Sequence, residues 1–141
     1  TEDDAGTRAQ WPYAFELIQT IVLDSGGLSI ALDVHNRSDS PMQFTGALHT
    51  YLRVPDVTAC VLLGLNGREY DDAADGGRYK TQGGELRISG EVDRVFADAP
   101  SRLMLQTGDG HPADAIGIQR NYDLYPELEA TTLLISYSTR F

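Results

Sequence analysis

The stretch "YAFELIQTIVLDSGGLSIALDVH", residues 13 to 35, decides the fold class. Residues 13 to 24 are rich in β-branched and aromatic side chains, and Ser25, Gly26 and Gly27 then supply turn chemistry. Beyond the turn the chain alternates strictly, Leu28, Ile30, Leu32 and Val34 against Ser29, Ala31, Asp33 and His35. A period of two places the four apolar side chains on one side of an extended strand. The stretch therefore predicts an antiparallel hairpin with one buried face.

Working outward, "NRSDSP" at 36 to 41 is a polar turn cluster. The run that follows sets Met42, Phe44, Gly46 and Leu48 against Gln43, Thr45, Ala47 and His49, which predicts a further strand. His49 would share its face with Gln43 and Thr45, and with Tyr51 and Arg53 if the strand continues. More short strands are expected at 58 to 65, 85 to 90, 93 to 98 and 102 to 107, separated by "PD", "NGREYDDAADGG", "QGG" and "TGDG". Residues 1 to 10 lack an apolar period and read as a loop, and no helical period is evident up to residue 110. Many short strands with glycine-rich turns predict an all-β sandwich or barrel rather than a βαβ fold.

The 141 residues, 41% hydrophobic and 23% charged, fit one globular domain spanning 1–141, with a tail of different texture over 111–141. In that tail "TTLLISY" reads as a strand without an evident partner. There are no internal repeats.

Eleven basic against 21 acidic residues give a net charge of −10, which repels phosphodiester backbones and anionic membrane surfaces. Neither nucleic acid nor a membrane is an expected partner. The longest apolar runs, such as "ACVLLGL", are too short to cross a bilayer. A lone cysteine, Cys60, has no intramolecular disulfide partner and sits in an apolar run, which fits a buried thiol in a reducing cytoplasm.

Two constellations could carry chemistry. A strand face with Gln43, Thr45, His49, Tyr51 and Arg53 presents hydrogen-bonding groups about 7 Å apart, a spacing suited to a polyhydroxylated ligand. A histidine there exchanges protons near neutral pH, whereas the plainer reading is a solvated sheet face with an incidental histidine. Asp93 and Arg94 in "EVDRVF" form the second constellation, and its plainer reading is a charge pair at a strand edge. The acidic run "REYDDAADGG" lacks calcium-loop spacing and reads as a solvated turn, and neither His35 nor His111 has partners at zinc-ligand spacing. No phosphate-binding glycine loop and no nucleophile elbow occurs.

"FTGALHTYLRV", followed by "DVTACVLLGLNGREYDD" and "EVDRVF", resembles the glucose-6-phosphate 1-epimerases, or hexose-6-phosphate mutarotases, of the aldose 1-epimerase superfamily. "WPYAFEL" and "VHNRSDSPMQF" are similar in the same order, so the resemblance runs from about residue 7 to 107. It implies a galactose-mutarotase-like β-supersandwich whose concave sheet binds a hexose 6-phosphate and interconverts its anomers with no metal and no organic cofactor. It further implies that His49 is the general acid on the ring oxygen and that Asp93 holds sugar hydroxyls.

The resemblance also sets expectations about what this chain lacks. The family's phosphate-gripping arginines would precede residue 1, and its W-N-P strand and the C-V-E strand with the catalytic base do not appear after residue 107. Glu127 and Glu129 in "YPELEA" do not match that motif, so the base is not carried onto either. The domain is thus expected to be incomplete, with a catalytically impaired carbohydrate-binding fragment as the alternative to an active isomerase. A structural β-sandwich is a third reading. Exposed strand edges admit homo-oligomerisation.

Overall fold

The computed structural model describes residues 1–46, 48–108, 115–119 and 133–137. The chain divides into two compact units, Thr1–Thr50 and Tyr51–Phe141.

The first unit opens with a short helix, α1 (Ala5–Gln10), where the sequence predicts a loop. Its cause is local. Asp4 is extended, its carboxylate accepts from the Thr7 amide at 2.8 Å, and the Thr7 hydroxyl accepts from the Asp4 amide at 2.8 Å. Such a reciprocal capping box stabilises a helix by about 1 kcal/mol without any apolar stripe. Since α1 buries none of its residues, no period was there to be read.

Strands β1 (Phe15–Asp24) and β2 (Gly27–Asn36) form the expected antiparallel hairpin, in register from Phe15 opposite Asn36 to Asp24 opposite Gly27. The Asp24 carboxylate accepts from the Gly26 and Gly27 amides at 2.7 and 3.2 Å, and Gly27 takes φ +139°, which a side chain would resist. This register sets Leu17 opposite Val34, Ile21 opposite Ile30 and Leu23 opposite Leu28 on one face. The expected burial of that face does not occur, because Ile21, Leu23 and Leu28 are 61%, 80% and 58% exposed. Alternation chooses which side chains share a face, but burial needs an opposing layer. Phe15 alone among the residues of the two strands is buried.

The strand expected from residue 42 onward is likewise absent among the described residues, and the described residues between 37 and 56 are irregular. A strand needs a partner for its amides and carbonyls, and among the described residues β1 and β2 form a two-stranded sheet that adds only an isolated bridge between Glu2 and Glu16. Side chains take over part of that role, with Asn36 Nδ2 donating to the Ser40 carbonyl at 2.8 Å and the Trp11 indole N–H donating to the Gln43 carbonyl at 3.0 Å.

The second unit is an antiparallel β-sandwich, in agreement with the all-β expectation. After a 3-10 turn at Val57–Ala59 come β3 (Val61–Leu63), β4 (Glu69–Asp72), β5 (Arg78–Thr81), β6 (Leu86–Arg87) and β7 (Val92–Phe96). They are followed by β8 (Arg102–Gln106), β9 (Ala115–Gln119) and β10 (Leu133–Tyr137). One sheet has the order β10-β7-β4-β5 and the other β6-β3-β8-β9. Both contribute to a single core of Leu62, Leu65, Tyr70, Leu86, Phe96, Ala99 and Leu103, with Leu65 and Phe96 fully buried. Gly64, at φ +108°, lets the chain pass close to β8, because a Cβ there would lie 2.8 Å from Leu103 Cδ2.

Strands β3, β6, β7 and β8 fall where the alternation predicts them. The hairpin of β4 and β5 replaces what reads as a solvated turn, and the apolar run near the C-terminus finds its partner in β7, with Leu133 opposite Phe96 and Tyr137 opposite Val92.

Candidate functional site

His49 lies in the irregular segment that follows β2, exposed to solvent, rather than on a strand face. Upstream, the segment is fastened to the first unit by the Trp11–Gln43 bond and by Ser38, whose hydroxyl accepts from the Ala14 amide at 2.7 Å. Trp11 packs its ring against Tyr13, at a centroid distance of 5.5 Å, and Phe15, at 5.0 Å. Beside this aromatic group an open cleft of about 430 Å³ is lined by Trp11, Gln43, Phe44 and Thr45. Neither His49 nor Asp93 lines it. Trp11 was not singled out by the sequence reading. The "WPYAFEL" motif that contains it was the available signal.

Asp93 sits on β7 in the second unit, half-buried, and its carboxylate makes no hydrogen bond or ion pair with the described residues. The Asp93–Arg94 pair suggested by adjacency does not form. Neighbours on a strand point to opposite faces, and β7 is an inner strand between β10 and β4 rather than an edge. Arg94 instead donates from Nη1 to Gln82 Oε1 at 2.6 Å and lies 4.6 Å over the Tyr70 ring. His49 belongs to the first unit and Asp93 to the second.

The acidic run at 68 to 77 is organised by a lysine that lies beyond it. Lys80 Nζ is 2.7 Å from both the Asp72 and the Asp75 carboxylates. The hydrogen bond from Lys80 holds the buried Asp72 carboxyl below the usual carboxylate range, and those two carboxylates push the Lys80 ammonium up. Cys60 is buried as expected, and burial raises its thiol. Among the described residues, no group of three or more His, Cys, Asp or Glu side chains could hold a metal ion, and no helix is long and apolar enough to cross a membrane. His111, Glu127 and Glu129 lie outside the described residues.

The sequence profile of the family described as Aldose 1-epimerase matches residues 1–123. A protein of Cenchrus ciliaris named "Putative glucose-6-phosphate 1-epimerase" is 32% identical over 99 residues, which make up 67% of this chain. The chain spans 30% of that relative's length. No solved structure matches.

Proposed function

The chain belongs to the aldose 1-epimerase family, and from that premise we propose that it acts on a hexose 6-phosphate, interconverting the α and β anomers with His49 as general acid. The observation that carries this reading is the family match over residues 1–123, which contains both the A-L-H-T-Y segment at 47 to 51 and the D-R-V segment at 93 to 95.

Ring opening requires two proton movements. His49 delivers a proton to the ring oxygen as the C1–O5 bond breaks, while a base takes the proton of the anomeric hydroxyl and C1 becomes an aldehyde carbon. Rotation about C1–C2 and attack of the freed C5 hydroxyl on the opposite face of the carbonyl give the other anomer, with both protons returned. No bond to an enzyme atom forms. Asp93 contributes by accepting hydrogen bonds from sugar hydroxyls, which hold the ring while C1 turns. Its half-buried carboxylate, without a partner among the described residues, supports that role. The exposure of His49 supports access to a solvent-borne sugar. The buried thiol of Cys60 suits a cytoplasmic location.

The test is the exchange between anomer signals of glucose 6-phosphate by NMR. Acceleration over buffer that falls at least about a hundredfold in His49→Ala, the lower range for loss of a general acid, is the expected result. Saturable chemical-shift changes without acceleration would replace the isomerase with a carbohydrate-binding module. The absence of both acceleration and saturable shifts would overturn both readings.

A further inference from the structure

On β7 the end residues Val92 and Phe96 are buried, and Asp93, Arg94 and Val95 between them are half-buried. Strand alternation puts Arg94 on the same side as Val92 and Phe96, so a half-buried guanidinium borders the apolar core. Placing a charge there is costly unless it is compensated. Gln82 supplies the acceptor at 2.6 Å, and the buried Tyr70 supplies a ring face at 4.6 Å. Gln82 is itself fixed, being 6% exposed, with Nε2 donating to the Glu85 carbonyl at 3.1 Å so that Oε1 is turned toward Arg94. Tyr70 is fixed in turn by Phe96, with ring centroids 5.1 Å apart.

The backbone ladder explains why this clamp matters for the residue next door. Between β4 and β7 only two pairs are in register, Asp71 with Val95 and Asp72 with Arg94. On the β4 side the ladder therefore stops one residue short of Asp93, where the 3-10 turn Ala73–Asp75 packs on β7, while β10 pairs the whole of β7 with Asp93 opposite Ser136. Asp93 faces the other way, half-buried and without a carboxylate partner among the described residues.

We infer that Arg94 is a positioning residue, its grip on Gln82 and Tyr70 fixing the roll of β7 and so the direction in which the Asp93 carboxylate meets the sugar hydroxyls. This rests on the reading above, in which Asp93 holds the sugar. The planar guanidinium is needed because one group must satisfy an amide oxygen at its edge and an aromatic ring at its face, which a lysine ammonium does less well.

A double-mutant cycle on the full chain tests it, with the dissociation constant for glucose 6-phosphate read from NMR shift titration. Asp93→Asn and Arg94→Gln should each weaken binding about tenfold, the scale of losing a hydrogen bond to a charged group. The double variant should bind no worse than Asp93→Asn alone, because a residue acting through Asp93 has nothing left to orient. Arg94→Lys should fall between the wild type and Arg94→Gln, and it carries the cycle if Arg94→Gln loses amide dispersion. Multiplicative losses, to about a hundredfold in the double variant, would overturn positioning in favour of a general structural role. So would wild-type affinity in Arg94→Gln alongside weakened Asp93→Asn. If Asp93→Asn binds like the wild type, or the wild type shows no saturable shifts, the sugar-site reading fails and the inference falls with it.

Discussion

Lys80 Nζ lies 2.7 Å from the Asp72 carboxylate, joining the two strands of the β4–β5 hairpin on their core-facing side. Lys80 carries a raised pKa and Asp72 a lowered one, and each is shifted first by the other. Because the folded Asp72 value is depressed, its contribution to stability is present above the ordinary carboxylate range and is lost as pH falls through the folded value. Because the folded Lys80 value is raised, its contribution is present below the ordinary lysine value and is lost as pH rises through the folded one.

Urea midpoints measured from acid to alkaline pH should therefore show a plateau with decline at both ends. Lys80→Met should lower the midpoint at neutral pH, since Asp72 is then buried and unpaired. The gap from wild type should close in acid, where Asp72 is protonated in both proteins. A gap that persists unchanged at low pH would contradict this assignment.

Gly64→Ala tests the close approach of β3 to β8. Its φ of +108° and the 2.8 Å between an added Cβ and Leu103 Cδ2 combine backbone strain with overpacking. The expected loss is roughly 1–3 kcal/mol in chemical denaturation, without a change in the dependence on denaturant. The same substitution at Gly83, where an added Cβ meets nothing within 4 Å, serves as the control and should change stability little.

Trp11→Phe keeps an aromatic ring beside Phe15 but removes the donor to the Gln43 carbonyl. Loss of one such bond costs about 0.5–1.5 kcal/mol. Hydrogen exchange at the amides of residues 43 to 46 should accelerate by roughly two- to tenfold, while the amides of β1 and β2 stay protected. Uniform acceleration across the hairpin would mean that Trp11 holds the whole unit rather than this segment.

The face formed by Ile21, Leu23 and Leu28 predicts self-association, because exposed contiguous apolar surface on a folded chain marks an interaction site. Sedimentation equilibrium should show a mass that rises with concentration. Leu23→Glu, a change at the most exposed of the three, should return it to that of the monomer. A monomer at every concentration would remove homo-oligomerisation from the reading.

Much of the fold is legible along the chain. The alternation in 28 to 35 with Ser25-Gly26-Gly27 before it specifies a hairpin, and short apolar alternations locate β3, β6, β7 and β8. The candidate site was legible in a different way, since His49 and Asp93 stand out through the motifs around them and not through periodicity. Periodicity misplaced His49 on a strand, because "MQFTGALH" alternates as a strand does while, among the described residues, no neighbouring strand pairs with it.

Alternation and turn residues are properties of a few consecutive residues, and those the sequence by itself determined: the β1–β2 hairpin, the all-β class and the family motifs. Pairing and burial depend on what lies across the sheet or above it, and only the tertiary structure decided them. It turned the acidic run into part of a hairpin in which Lys80 pairs with Asp72 and Asp75, gave β10 its partner in β7, left the β1–β2 face exposed, and set a half-buried Arg94 against Gln82 and Tyr70 while Asp93 faces the other way. The physical reason is the same in each case: a backbone amide or an apolar face is satisfied by a partner distant in sequence, and local pattern carries no record of which partner that is.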